Sequence, residues 1–174
     1  MDVLSWNCRG ICGDSTTGAL KNLVSQNRPQ IVFLCETKIN NSRAFENLRL
    51  ALWFAHGEGV LSAGLSGGLG MFWNDDVKVK FVSSSPHHID VEIDGGPGNP
   101  RWRLTGFYGW PRTADRDRSW NLLKELNDLN SLPWVVIGDF NEILNSGEKK
   151  DGPLRPERQM HGFREALGYG DRSS

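Results

Sequence analysis

Several features are scarce in this chain, and each scarcity removes a class of protein. Cysteine occurs three times, at Cys8, Cys12 and Cys35, with no C-x-x-C pair. An odd count without pairs excludes a disulfide framework and a cysteine zinc site. The three thiols read as small core hydrophobes in a reducing compartment. No apolar run reaches the length of a membrane-spanning helix. The opening Met-Asp-Val-Leu-Ser-Trp-Asn lacks the basic stretch and apolar segment of a secretory signal, so a nuclear or cytoplasmic location is expected. Net charge is only −1, which leaves no global basic field to attract nucleic acid. Such binding would need a local basic patch or a metal ion. Internal repeats, low-complexity tracts and linkers are also missing. The expectation is a single domain over residues 1–174, long enough to bury a substantial core.

What is present is an alternation of strands and helices. Val3-Leu4-Ser5-Trp6 is a short apolar strand. Leu20, Leu23 and Val24 recur at helical spacing, and Asn27-Arg28-Pro29 ends that helix because proline disfavours helix in the residue before it. Ile31-Val32-Phe33-Leu34-Cys35 reads as a strand buried on both faces. Phe45, Leu48 and Leu52 predict a second helix entered at Asn41 or Ser42. A glycine-rich loop runs from Gly64 to Gly70 and leads into a strand. Beyond it the period changes to two: Val77, Val79 and Phe81 alternate with lysines, and Ile89, Val91 and Ile93 with Asp90 and Glu92. These predict antiparallel strands with one wet face. Gly95 to Pro100 is a turn, and Trp102 to Tyr108 the next strand. Trp120, Leu123, Leu126 and Leu129 form one helical stripe. Trp134-Val135-Val136-Ile137 predicts another fully buried strand, and Arg155 to Leu167 a charged helix. The seven tryptophans belong mostly to the core. Buried and half-wet strands mixed with helices give an α/β layered fold.

Polar groups follow the apolar runs. Asn7 ends the first strand, Glu36 the second, Tyr108 a later one, and Gly138-Asp139-Phe140-Asn141 the last. In α/β folds the carboxyl ends of strands are where ligands bind. Glu36 with Asn7 makes an oxygen-rich partial shell for a hard cation such as Mg²⁺, which takes one or two carboxylates and keeps several waters. Mn²⁺ accepts the same ligands. Asp139 suits orienting or deprotonating a water. Asn141 and Tyr108 suit donating hydrogen bonds to phosphate oxygens. Taken singly, each of these residues is also an ordinary turn, cap or core residue.

In order, Leu4-Ser5-Trp6-Asn7-Cys8-Arg9-Gly10, Phe33-Leu34-Cys35-Glu36-Thr37-Lys38, Gly106-Phe107-Tyr108-Gly109-Trp110-Pro111 and Gly138-Asp139-Phe140-Asn141-Glu142-Ile143-Leu144 closely resemble the endonuclease/exonuclease/phosphatase family. Within it, the chain is most similar to the endonuclease domain of plant LINE-type (non-LTR) retrotransposons, and Glu148-Lys149-Lys150-Asp151-Gly152 through Arg158 looks like that subgroup too. The resemblance covers essentially the whole chain. It implies a two-sheet β-sandwich flanked by helices and Mg²⁺-dependent hydrolysis of a phosphodiester. Asn7 and Glu36 would lie near the metal, Tyr108 and Asn141 on the phosphate, and Asp139 would position the nucleophile. Arg9, Lys38, Trp110 and Arg112 would contact the nucleic acid. In such elements the domain nicks DNA and a reverse transcriptase extends the 3′ end. DNA is therefore the expected partner, with no membrane, and the oligomeric state stays open.

Two departures accompany the resemblance. Abasic-site nucleases of the family carry an acid two residues after the Asn, where this chain has Arg9. The family also carries further strands with another Asp and a terminal Ser-Asp-His, whereas these residues end at Gly168-Tyr169-Gly170-Asp171-Arg172-Ser173-Ser174. The expectation is a domain lacking its C-terminal strands, marginally stable and poorly active. His56, His87, His88 and His161 are outside such a context, and His87-His88 reads as a surface or rim pair.

Other signals are weak. Gly64-Leu65-Ser66-Gly67-Gly68-Leu69-Gly70 lacks the ending of a P-loop and the spacing of a dinucleotide fingerprint, so it reads as a flexible loop. Arg112, Arg116 and Arg118 beside Trp110 fit either a nucleic-acid groove or a solvated helix start, as do Arg155, Arg158 and Arg164. Two alternatives to a DNA endonuclease stand. One is a phosphatase or RNA exonuclease of the same fold, since fold does not decide substrate. The other is a non-catalytic remnant that binds nucleic acid or protein.

Overall fold

The computed structural model describes residues 1–11, 13–64, 66–148 and 156–168. The chain forms two compact units. One comprises Met1–Tyr108 with Leu132–Asp139, the other Gly109–Ser131 with Phe140–Ser174. Cys12 and the segment 149–155, including Arg155, lie outside the described residues, as do residues 169–174.

The first unit holds β1 (Val3–Asn7), α1 (Asp14–Asn27), β2 (Ile31–Cys35), α2 (Ser42–Ala51), β3 (His56–Val60), β4 (Leu69–Trp73), β5 (Lys78–Ser85), β6 (His88–Asp94), β7 (Trp102–Tyr108) and β8 (Trp134–Asp139). Two four-stranded sheets result, in the orders β1-β2-β4-β3 and β5-β6-β7-β8. Each sheet has one parallel pair, β1 with β2 and β7 with β8. The remaining pairs are antiparallel.

The inner faces meet in one core of Ile31, Phe33 and Met71 from the first sheet and Ile89, Val91, Ile93 and Leu104 from the second. Side chains of this kind contribute roughly 1.5–3 kcal/mol each when fully buried. Contact is closest at Gly106, where an added Cβ would lie 2.1 Å from the Phe33 ring. On the other face of the first sheet, Val32, Leu34 and Phe72 pack with Leu20 of α1, with Leu48 of α2 and with Leu52 just past its end. The expected α/β architecture of two sheets with flanking helices is present. Asn41 caps α2 by accepting from the Ala44 N–H at 2.8 Å, and α1 ends at Arg28, just before Pro29. No helix among the described residues is long and apolar enough to cross a membrane.

Several elements differ from the sequence reading. β3 was not expected, because His56-Gly57-Glu58-Gly59-Val60 has poor strand propensity. Its glycines make room for aromatic rings: a Cβ at Gly59 would sit 2.5 Å from Phe45, and one at Gly57 2.8 Å from Phe72. β8 is not fully buried; it is an edge strand and leaves Val135 exposed. The expected wet face of β6 is closed at Asp90, which is buried with Arg103 and Thr105 of β7. Arg103 Nε lies 3.1 Å from Asp90, Thr105 Oγ1 donates to Asp90 at 2.5 Å, and Trp134 Nε1 donates to Thr105 Oγ1 at 2.7 Å. An ion pair and hydrogen bonds compensate polar groups that an alternating pattern assigns to water, with Asp90 Oδ2 held by the ion pair alone. His88 is likewise no surface residue. It is buried, with its two ring nitrogens 2.8 and 3.0 Å from the hydroxyls of Ser85 and Ser83.

In the second unit, α3 (Arg116–Asn127) packs against α4 (Glu157–Ala166), with Trp120 stacked on Phe163 at 4.8 Å. Leu129 falls past the end of α3 and is exposed. Arg116 is buried and bonded to Glu142 and Gln159 at 3.2 and 3.3 Å, and Arg164 donates to the Leu144 carbonyl at 2.7 Å. Both arginines thus serve the packing of this unit rather than an open basic groove. Arg118 is exposed and 3.7 Å from Asp115.

Candidate active site

The two parallel pairs place four polar residues together. Asn7 is the register partner of Cys35, so Glu36 follows directly beside the end of β1. Tyr108 is the register partner of Asp139 at the ends of β7 and β8. Face-to-face packing of the sheets then joins the two ends. Asn7 Nδ2 donates to Glu36 Oε1 at 3.0 Å and to Asp139 Oδ2 at 2.8 Å, and the Tyr108 hydroxyl donates to Glu36 Oε1 at 3.0 Å. Carboxylates only accept, so the amide nitrogen of Asn7 must face them. Its Oδ1 turns the other way and accepts from the Arg9 N–H at 3.0 Å.

The connecting backbone is held in unusual shapes. Arg9, Glu36 and Lys38 all have left-handed φ, at 49°, 54° and 57°. Such residues persist where surrounding bonds over-determine them. Here Cys8, Gly10 and Ile11 N–H groups donate to the carbonyls of Cys35, Glu36 and Thr37 at 2.7–3.0 Å. From the other side the Thr37 and Lys38 N–H groups donate to Gly68 and Gly67 carbonyls at 3.1 and 3.0 Å. A Cβ on Gly68, whose φ is +85°, would fall 2.5 Å from Thr37 Oγ1. The glycine-rich segment is therefore a brace for the Glu36 turn, a role its composition did not announce. Leu65 within it lies outside the described residues.

Electrostatics fix the protonation of three neighbours. Burial, then the hydrogen bond and charge of Glu36, push the Tyr108 phenol well above its usual range, so it stays a neutral donor. Burial pushes Cys8 and Cys35 up to about 12, helped by the charge of Glu36 at Cys8 and of Asp139 at Cys35. Neither thiol is a nucleophile, in keeping with their expected role as core residues.

Of the residues singled out in the sequence, Asn7, Glu36, Tyr108 and Asp139 are brought into contact. Arg9 and Lys38 are exposed beside them, on the turns that follow β1 and β2. Asn141, Trp110 and Arg112 belong to the second unit. There Asn141, with φ 54°, donates to the Gly109 carbonyl at 2.8 Å, Trp110 N–H donates to Ser119 Oγ at 2.9 Å, and Arg112 is exposed. Sequence reasoning missed His87. Its Nδ1 donates to the Tyr108 carbonyl at 2.8 Å and its ring stacks parallel to Tyr108 at 6.1 Å. It also missed Ser15 and Thr16, which line an open cleft of about 600 Å³ with Asn7, Arg9 and Asp139. No spacing in the sequence signals these contacts.

The donor set suits a hard divalent cation. Glu36 and Asp139 are two carboxylates tied to one amide, and no described residue bonds to Glu36 Oε2. Among the described residues there is no group of three or more His, Cys, Asp and Glu that would enclose a metal. The carboxylate oxygens of Glu36 and Asp139 fit a hard ion that keeps several waters, whereas the Asn7 oxygen expected beside them is turned to the Arg9 N–H.

Two mixed sheets packed face to face, each with one parallel pair, bring an amide, two acids and a phenol together at their carboxyl ends. The chain belongs to the endonuclease/exonuclease/phosphatase family, whose model matches residues 4–172. Among solved structures, an AP endonuclease from Leishmania major is similar at a TM-score of 0.71 and 16% identity, covering 96% of this chain and 66% of that one. An AP endonuclease from Archaeoglobus fulgidus matches at 0.69 and 18%, covering 98% and 71%. The endonuclease domain of TRAS1, a telomere-specific non-LTR retrotransposon, matches at 0.63 and 14%, covering 94% and 69%. At such identities these likenesses speak for the fold. The chain spans about two thirds of the length of these proteins. Among curated proteins, none matches it by sequence.

Proposed function

We propose that this chain is a divalent-metal-dependent phosphodiesterase that nicks DNA, of the kind found in LINE-type retrotransposons. The observation that carries the reading is the single amide of Asn7 bonded to both Glu36 and Asp139, with Tyr108 on the same Glu36 oxygen. Likeness to the TRAS1 endonuclease domain and the motif wording around Asn7, Glu36 and Asp139 support DNA as the substrate.

Glu36, with Asn7 and Asp139 beside it, would hold Mg²⁺ or Mn²⁺. A bound cation supplies positive charge against the phosphate oxygens. Asp139 orients a water and takes its proton as the water oxygen bonds to phosphorus and the bond to the leaving sugar oxygen breaks. Tyr108, kept neutral, donates a hydrogen bond to phosphate as charge builds. Arg9 and Lys38, exposed on the turns after β1 and β2, hold the flanking strand.

Purified chain incubated with supercoiled plasmid and Mg²⁺ or Mn²⁺ tests this reading, beside a Glu36→Ala/Asp139→Ala control. Nicking that needs metal and disappears in the control supports it. No nicking above that control, in protein shown to be folded, rejects it in favour of a non-catalytic remnant.

A further inference from the structure

Six non-glycine residues have left-handed backbone among the described residues: Arg9, Arg28, Glu36, Lys38, Trp53 and Asn141. Four of them are the site candidates already discussed. The other two, Arg28 and Trp53, line one groove of about 390 Å³ together with Lys21, Val24, Ser25 and Leu52. Left-handed backbone at a bulky non-glycine residue is uncommon, and such an outlier raises the question of function.

Trp53 breaks two local rules at once. It follows the end of α2 at φ 65°, where its N–H donates to the Leu50 carbonyl and Phe54 N–H to that of Arg49. This is the helix ending that ordinarily calls for glycine. Its ring is also 88% exposed, so it adds little to the core. Among the described residues nothing compensates for a large aromatic there. Across the groove, Arg28 ends α1 in the same left-handed conformation, at φ 45°. Lys21 and Arg28 are exposed, and the residues lining the groove include no carboxylate. In a chain of net charge −1, that is a local concentration of positive charge beside an open aromatic face.

We propose that this groove binds single-stranded nucleic acid, with an unpaired base stacked on Trp53 and phosphates held by Lys21 and Arg28. Stacking on an exposed ring accepts any base, and cations that flank it track the backbone. The groove lies at the carboxyl ends of α1 and α2, whereas the candidate active site lies at the carboxyl ends of the strands. It is a separate site from the one proposed to cleave.

The test is binding of a fluorescent oligothymidylate to the full chain, followed by anisotropy at several salt concentrations. Trp53→Gly is the informative variant, because glycine suits the backbone there and the fold should be as stable or more so. Affinity should fall about 10- to 100-fold. Lys21→Glu/Arg28→Glu should weaken binding and flatten its dependence on salt. A duplex of the same length should compete poorly. The Glu36→Ala/Asp139→Ala protein should bind the oligonucleotide unchanged, so a chain that fails to nick DNA still leaves this inference standing. No binding by the unaltered chain, unchanged affinity in Trp53→Gly, equal competition by duplex, or loss of binding in the Glu36/Asp139 variant would each overturn it.

Discussion

Asn7 and Asp139 are 132 positions apart in the chain and joined at 2.8 Å by the same amide nitrogen that holds Glu36. The two carboxylates are thereby held near each other, with the shared amide offsetting part of their mutual repulsion. Replacing Asn7 by Asp would set three acids together, where like charges disfavour ionisation. Asn7→Asp should lose about 1–3 kcal/mol in urea unfolding. Asn7→Ala should cut nicking about 10²-fold through misplaced acids. Wild-type nicking by Asn7→Ala would show that Asp139 and Glu36 keep their places unaided.

Tyr108→Phe removes one hydroxyl and leaves the ring in place. Stability should change by about 1 kcal/mol, whereas the rate of nicking should fall about 10²- to 10³-fold. Equal effects on both would make Tyr108 a core residue that happens to touch Glu36.

Gly138 precedes Asp139 with φ at +134°, and a Cβ there would lie 2.0 Å from the Phe107 carbonyl oxygen. Alanine meets both strain and a backbone clash. Gly138→Ala should cost at least about 2 kcal/mol in urea unfolding and should lower nicking further than the lost stability explains. A fully stable, fully active Gly138→Ala protein contradicts this geometry.

Burial, then the neighbouring charges of His87 and Arg103, lower His88 from its ordinary 6.5 to about 4. The folded protein thus holds this imidazole neutral while the unfolded chain protonates it. Its contribution is complete above pH 6.5 and is lost as pH falls from there towards 4, worth about 3 kcal/mol at the lower end. Urea titrations across that window should show the fall, and His88→Gln should flatten it.

The pair of Asp90 and Arg103 should behave asymmetrically. Burial holds the Asp90 carboxyl above its usual range, even with Thr105 and Arg103 bonded to it. Arg103→Met leaves that acid in the interior with Thr105 but without its opposite charge, and should cost about 3–5 kcal/mol. Asp90→Asn combined with Arg103→Met should recover part of the loss. A double variant no better than the single one would place the cost in lost packing over Trp134, whose ring lies 4.6 Å from the guanidinium.

The parts of the structure legible in the sequence are those written in local pattern. Ile31 to Cys35 is apolar throughout and is buried throughout. Pro29 and Asn41 mark helix ends because their preferences act within a few residues. Asn7, Glu36, Tyr108 and Asp139 stood out because each is polar directly after an apolar strand. What stayed hidden depends on distant partners. β3 exists because Phe45 and Phe72 fill the space its glycines leave. Asp90 looked solvent-facing because Arg103, thirteen positions later, is invisible to an alternating pattern. Gly67 and Gly68 looked like slack in a loop, and only their carbonyls reaching Thr37 and Lys38 show otherwise.

The order of the strands also sets a timetable for the emerging chain. β1 to β4 make up the whole first sheet and are complete by Trp73, so that sheet can form while the rest is still being synthesised. Glu36 and Asn7 then wait, already side by side, for Tyr108 and finally for Asp139 on an edge strand. A nascent chain halted before residue 139 would lack the carboxylate that completes the bonding of the Asn7 amide.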